Sequence, residues 1–154
     1  MSKGIREASA DWLMLLGAPI LMGSLFLAWS HQFSRPFLLR YAGSPVLQGV
    51  PHDPTAWQIY SVTDVLLAGL AAGLLAVALR GTRHARVFVA LGLAVALAFT
   101  IHALSVPPTH GADIFDASLG RYASNSPTAG PGETLGLVGI GLGLGGVLIS
   151  FTAD

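Results

Sequence analysis

The stretch SVTDVLLAGLAAGLLAVAL, residues 61–79, decides the class of this protein. It is apolar on every side of a helical wheel, and its one charged residue, Asp64, lies a single turn from the start. Three further runs match it, at 12–29, 87–105 and 134–151. Each holds roughly 18 to 19 residues, close to the ~20 that cross ~30 Å of hydrocarbon at 1.5 Å per residue. Barrel strands would alternate apolar and polar positions instead. A helix satisfies its backbone polar groups within one segment, which lipid requires. The expectation is an all-α membrane protein: four transmembrane helices in an antiparallel up-down bundle, forming one membrane domain over 1–154.

Composition agrees. The chain has 154 residues, of which 53% are hydrophobic and 10% charged, against about 25% charged in soluble domains. It has no cysteine, which excludes disulfides, thiolate metal sites, cysteine nucleophiles and lipid attachment at cysteine. The formal net charge is zero, so nothing points to nucleic acid as a partner. Lys3 and Arg6 before the first run resemble a signal-peptide n-region, with Ala28-Trp29-Ser30 as a loose cleavage site. The apolar stretch exceeds the usual h-region, so an uncleaved anchor helix is the expectation.

Basic residues orient the spans. Lys3, Arg6, Arg80, Arg83 and Arg86 fall in short segments, while Arg35, Arg40 and Arg121 fall in long ones, five against three. Both termini and the 80–86 link are therefore expected in the cytoplasm of a bacterial cell, with long outer loops at 30–60 and 106–133. The Arg80, Arg83 and Arg86 cluster also suits anionic lipid headgroups. Trp12, Trp29, Trp57 and Tyr60 stand near run ends, where amphipathic rings favour the headgroup layer. The short link makes the second and third helices a hairpin. Phe33, Phe37, Leu38, Leu39, Tyr41, Val46 and Leu47 make the first loop apolar enough to pack on the membrane surface or over the bundle mouth. Pro19 predicts a modest kink in the first helix.

Small residues mark packing faces. Gly139 and Gly143 are four apart in the last run, as are Gly141 and Gly145, and Gly69 and Gly73 repeat the spacing in the second. Such spacing lets another helix approach closely. The faces serve either the chain's own bundle or docking onto another membrane chain, including self-association.

Polar chemistry is sparse. Asp64 has two readings: a capping box formed by Ser61-Val-Thr-Asp64 at the helix start, or a pair with His102, which lies at similar depth on the third helix and would make a proton or ligand site. Glu133 follows Gly130-Pro131-Gly132, and reads as a favourable acid near a helix dipole. With Asp64 and His102 it completes the candidate outer site, since ionisable residues within a membrane are functional candidates. His110, Asp113 and Asp116 form a weak metal-ligand ladder, with His31, His52 and Asp53 also outside; their spacing fits no metal motif. No phosphate-binding glycine loop, nucleophile–base pair or haem signature is present, so no cofactor is predicted and enzymatic function is disfavoured.

The segment Pro54-Thr-Ala-Trp57-Gln-Ile-Tyr60-Ser-Val-Thr-Asp64 leading into the second helix, the Val106-Pro107-Pro108 exit of the third, and a Gly/Pro opening of the fourth resemble small four-helix membrane proteins of unknown function in actinobacteria and related bacteria. The resemblance covers most of the chain and implies the topology, with no activity attached. A claudin-like arrangement would also give four helices with a large first loop, but its cysteine pair is absent. The expected function is a non-catalytic membrane subunit, scaffold or accessory component packing against partner chains. The alternative is a small transporter, channel or ligand or proton sensor with an outer pocket around Asp64 and His102.

Overall fold

The structure, a computed structural model, describes residues 3–112, 114–116, 120–122 and 127–153. Among these residues there are six α-helices: α1 (Lys3–Ser24), α2 (Arg35–Tyr41), α3 (Ala56–Ile59), α4 (Ser61–Arg80), α5 (Arg83–Ser105) and α6 (Pro131–Ala153). Three of them, α4, α5 and α6, are long and apolar enough to cross a membrane. Short strands β1 (Ser30–His31), β2 (Ile114–Asp116), β3 (Gly120–Tyr122) and β4 (Thr128–Ala129) lie in the long connections.

Helix α1 departs from the run that predicted it. It begins at Lys3 rather than at 12 and stops at Ser24 rather than at 29. Residues 25–27 tighten into three-residue turns, with Leu25 N–H donating to Met22 O and Leu27 N–H to Ser24 O, each at 3.3 Å. The Trp29 indole Nε1 then donates to Ser24 O at 2.9 Å and closes the helix end. Trp29 is therefore a fully buried strut, not a headgroup anchor. An apolar run need not be helical throughout when its last residues have tertiary partners.

The core combines large side chains, among them Met14, Leu21, Trp29, Leu74 and Ile140, with glycine contacts between α1 and α6. Gly17 of α1 meets α6 so closely that a Cβ there would stand 2.7 Å from Gly143 N and 2.8 Å from Gly139 O. Farther along, a Cβ at Gly146 would stand 2.7 Å from Ala10 O. Leu67, Ala71 and Leu74 of α4 and Leu93 and Ala96 of α5 line the same interior. Other large side chains point outward: Leu66 and Leu79 on α4, Phe88, Leu91 and Val95 on α5, and Val138 and Leu148 on α6 are all exposed. A soluble protein rarely exposes apolar surface on this scale. Close glycine contacts between helices, as between Gly17 of α1 and Gly139 and Gly143 of α6, are common in membrane helix packing.

The link between α4 and α5 shrinks to Gly81 and Thr82, because α5 starts at Arg83 rather than at 87. The Thr82 hydroxyl accepts from Ala85 N–H at 3.3 Å and caps α5. Arg80, Arg83 and Arg86 thus sit on helix ends.

The two long connections fold over the opposite end. Ser30 pairs with Ala129 and His31 with Thr128 in an antiparallel ladder. Ile114 to Asp116 pair with Tyr122 to Gly120 in a second. Phe33, Leu47 and Ala112 form a separate small core, flanked by Phe37, Leu38, Tyr41 and Val46. The apolar start of the first loop thus packs on itself, although Leu39 stays 84% exposed. The buried Gln32 side chain joins the two connections: Nε2 donates to Pro51 O at 2.6 Å and to His110 O at 3.1 Å, and Oε1 accepts from His110 N–H.

Candidate functional site: two enclosed carboxyls

Asp64 lies in the first turn of α4, on the stripe that continues through Leu67, Ala71 and Leu74. Glu133 occupies the first turn of α6, on the stripe that continues to Gly136 and Ile140. Helical periodicity turns both acids into the bundle interior. Each has 0% exposure. Neither carboxylate has a hydrogen-bond partner on either oxygen among the described residues.

The surroundings explain the lack of partners. Trp29, Tyr60 and Phe99 form an aromatic cluster at this end, with centroids 6.0 Å apart for Trp29–Tyr60, 6.4 Å for Trp29–Phe99 and 5.1 Å for Tyr60–Phe99. The nearby hydroxyls are committed to their own helices. Ser24 Oγ donates to Leu21 O at 2.7 Å and Thr100 Oγ1 to Ala96 O at 2.9 Å. The Gly132 amide is taken by Ala28 O at 2.8 Å. A Cβ at Gly132 would stand 2.8 Å from both Ser24 O and Trp29 Nε1, so only glycine lets α6 begin this close to the Trp29 strut.

Tyr60 stands at the junction of α3 and α4, with φ −125° and ψ 58°. Burial, then the charge of Glu133, then that of Asp64, pushes its phenol up to about 12 from the usual 10.0.

Several expectations change here. The capping box at Asp64 does not form: Tyr60 is the N-cap of α4, no side chain caps it, and the carboxylate has no partner. The pair of Asp64 with His102 does not form either. His102 is exposed, whereas Thr100 and Ala103 are the buried positions of that turn of α5. Glu133 does sit in the first turn of a helix opening with Pro131, but it is enclosed rather than solvated.

The outer histidines separate. His31 Nδ1 and Asp53 Oδ1 stand 2.5 Å apart at the surface, and the His52 ring packs edge-on against Phe33. His110 is exposed and held through its backbone. Asp113 lies outside the described residues, and Asp116 ends β2. Among the described residues no group of three or more potential ligands gathers for a metal ion.

Trp29, Tyr60 and Gln32 are the residues that reading the sequence missed as parts of this end. The first two read as headgroup anchors by type. The only available hint was Tyr60 standing one helical turn before Asp64. Among the described residues, Asp64 and Glu133 are thus two enclosed carboxyls with no donor on any of their oxygens. No family model, characterised protein or solved structure matches this chain.

Proposed function

We propose that this is a multi-pass protein of a bacterial cytoplasmic membrane that binds a cation at the Asp64 and Glu133 pair, in transport or sensing. In this reading α1, α4, α5 and α6 cross the bilayer as an antiparallel up-down bundle. Both termini and the Gly81–Thr82 link face the cytoplasm, and the strand-bearing connections face outward. The three long apolar helices support it, as does α1, which packs along α6 through Gly17. Arg83 and Arg86 support the orientation. They occupy the first turn of α5, the wrong end of a helix dipole for a cation, so a topological role accounts for them better than a local one.

The observation that carries the functional reading is the pair of fully buried carboxyls with no protein donor. Burying an ionised carboxylate without a partner is costly, so a protein that only needed packing there would use leucine. The test is infrared spectroscopy of the detergent-purified protein during an acid–base titration. The carboxyl carbonyl bands should lose one titrating component in Asp64→Asn and another in Glu133→Gln. Asp64→Leu should raise thermal stability, by roughly 1–3 kcal/mol on the cost of an unsatisfied buried polar group. Unchanged bands together with lowered stability would make the acids structural and end this reading.

A second reading, a membrane subunit packing against partner chains or a second copy, rests on one specific observation. Among the described residues, no atom beyond the immediate chain neighbours and the local helix backbone lies within 4 Å of a Cβ built at Gly69, Gly141 or Gly145. These three positions are clear of the neighbouring helices. The chain has no cysteine, so Gly141→Cys gives a clean crosslinking reporter in native membranes. A stoichiometric crosslinked species supports the subunit role, and a chain that stays monomeric counts against it.

A further inference from the structure

The chain repeats one plan. The pair α1 and α4, and again the pair α5 and α6, is a long helix, a strand-bearing connection and a second long helix with an acid in its first turn. Asp64 and Glu133 hold matching places in the two halves. Both second helices start at the same end, where Tyr60, the N-cap of α4, packs against Trp29, and Trp29 lies against Gly132 of α6. Deeper in the bundle the two helices meet: a Cβ at Gly143 would stand 2.5 Å from Leu74 Cδ2. Asp64 precedes Leu74 by ten positions, and Glu133 precedes Gly143 by ten. Each acid therefore lies about 15 Å from that meeting point along its helix. The two stand at a common level, in the interior between two like halves. Among the described residues, neither half supplies a donor to the other's acid.

The polar groups at this level favour one cation over the rest. A hard metal ion takes a shell of about six or more oxygens. The carbonyls here are already engaged: Ser24 O accepts from Trp29 Nε1, Ala28 O from the Gly132 amide and Trp29 O from the Gly130 amide. Among the described residues no third carboxylate or imidazole joins the two acids. A proton needs no such shell. It removes the charge that burial penalises, and it turns a group that only accepts into one with an O–H to donate. The buried hydroxyls at this end suit that form. Ser24 Oγ and Thr100 Oγ1 give their hydrogens to Leu21 O and Ala96 O, so they offer lone pairs and no hydrogen. Ser24 Oγ would stand 3.3 Å from a Cβ at Gly136, one turn from Glu133. Such hydroxyls can accept from a carboxylic acid and cannot solvate a carboxylate. Other titratable groups keep clear, apart from the Tyr60 phenol. His102 of α5 is exposed, His31 of β1 stands at the surface against Asp53, and residues 12–24 of α1 include none. We propose that Asp64 and Glu133 form a proton-binding site between the two halves, each carboxylate taking one proton from water and returning it, with no metal ion in the cycle. This rests on reading the two acids as a cation site, and names the cation.

The test follows the infrared carboxyl bands of the full chain in mild detergent through acid–base titrations in different salts. Sodium, potassium, lithium and calcium chlorides are each compared with N-methylglucamine chloride at equal ionic strength. The midpoints assigned to Asp64 and Glu133 should be the same in every salt. A metal ion that shared the site would bind only its deprotonated form. It would therefore lower a midpoint by about one pH unit for each tenfold rise in its concentration, once it saturates the site. Asp64→Asn should remove one titrating component and Glu133→Gln the other. The component that remains in each variant reports a folded chain, and should be equally indifferent to the salt. A midpoint that falls in any one of the metal chlorides overturns the proton assignment and leaves the cation site standing. Bands that titrate in no salt remove both.

Discussion

Tyr60 reports on the site from just outside the apolar segment. Its phenol is held up to about 12 by burial and then by Glu133 and Asp64, so it stays neutral where an unfolded tyrosine has begun to ionise. The sign for stability follows from linkage: protons leave the unfolded chain first, so this contribution is intact below about 10 and is lost as pH climbs toward about 12. In a spectrophotometric titration of tyrosinate, one of the three tyrosines should ionise last, and Tyr60→Phe should delete that component. Asp64→Asn and Glu133→Gln should each bring it to lower pH by removing a repelling charge. A last component that ignores both substitutions would separate Tyr60 from the acids. The residue scale also shows how far the sequence could be read. Asp64 was legible because an acid in an apolar run is rare. Glu133 was legible as an acid opening a helix at the same end, but the exclusion of His102 was not, because depth along an antiparallel helix follows from residue counting while rotation about its axis does not. His102 lies at the expected depth but two positions from the buried Thr100, and two positions turn a side chain by roughly 200°.

The same geometry governs the glycines of α6. Gly139 with Gly143 and Gly141 with Gly145 share one spacing, and the sequence gives no reason to rank them. Two positions apart, they face nearly opposite directions. A Cβ at Gly139 would stand 2.6 Å from Leu21 N and 2.9 Å from Leu21 Cα, backbone atoms that cannot step aside. One at Gly141 would meet nothing within 4 Å. Alanine at the two sites should therefore act in opposite senses on the isolated chain. Gly139→Ala pushes α1 off α6 and should destabilise by about 1–3 kcal/mol, the usual cost of overpacking. Gly141→Ala adds helix propensity, worth up to about 1 kcal/mol. Thermal unfolding of the two variants in the same detergent measures the difference. Equal effects would mean that α1 does not lie against the Gly139 row. In native membranes the order can reverse, because Gly141→Ala obstructs a face left open for another helix.

At the scale of the molecule, the class was legible from run length and composition, and the first run was overread. Residues 25–29 are as oily as the helix before them, but Trp29 and the start of α6 satisfy their backbone by long-range contacts that no local pattern reveals. The opposite end is simpler, since two residues join α4 to α5 and leave three arginines nowhere else to go. Orientation should follow from them. With no native cysteine, single substitutions report each side: Gln48→Cys, exposed in the first long connection, should react with an impermeant maleimide on intact cells. Thr82→Cys should react only after permeabilisation. The reverse pattern would invert the topology, and release of the chain from vesicles by carbonate would remove it from the bilayer. If charge sets the direction, Arg83→Glu with Arg86→Glu leaves three basic residues on each side in place of five against three, and Thr82→Cys in that background should label on a fraction of intact cells. A hairpin that stays fully protected would mean that the folded strands and the Phe33–Leu47 core, rather than the arginines, hold the outer face outside.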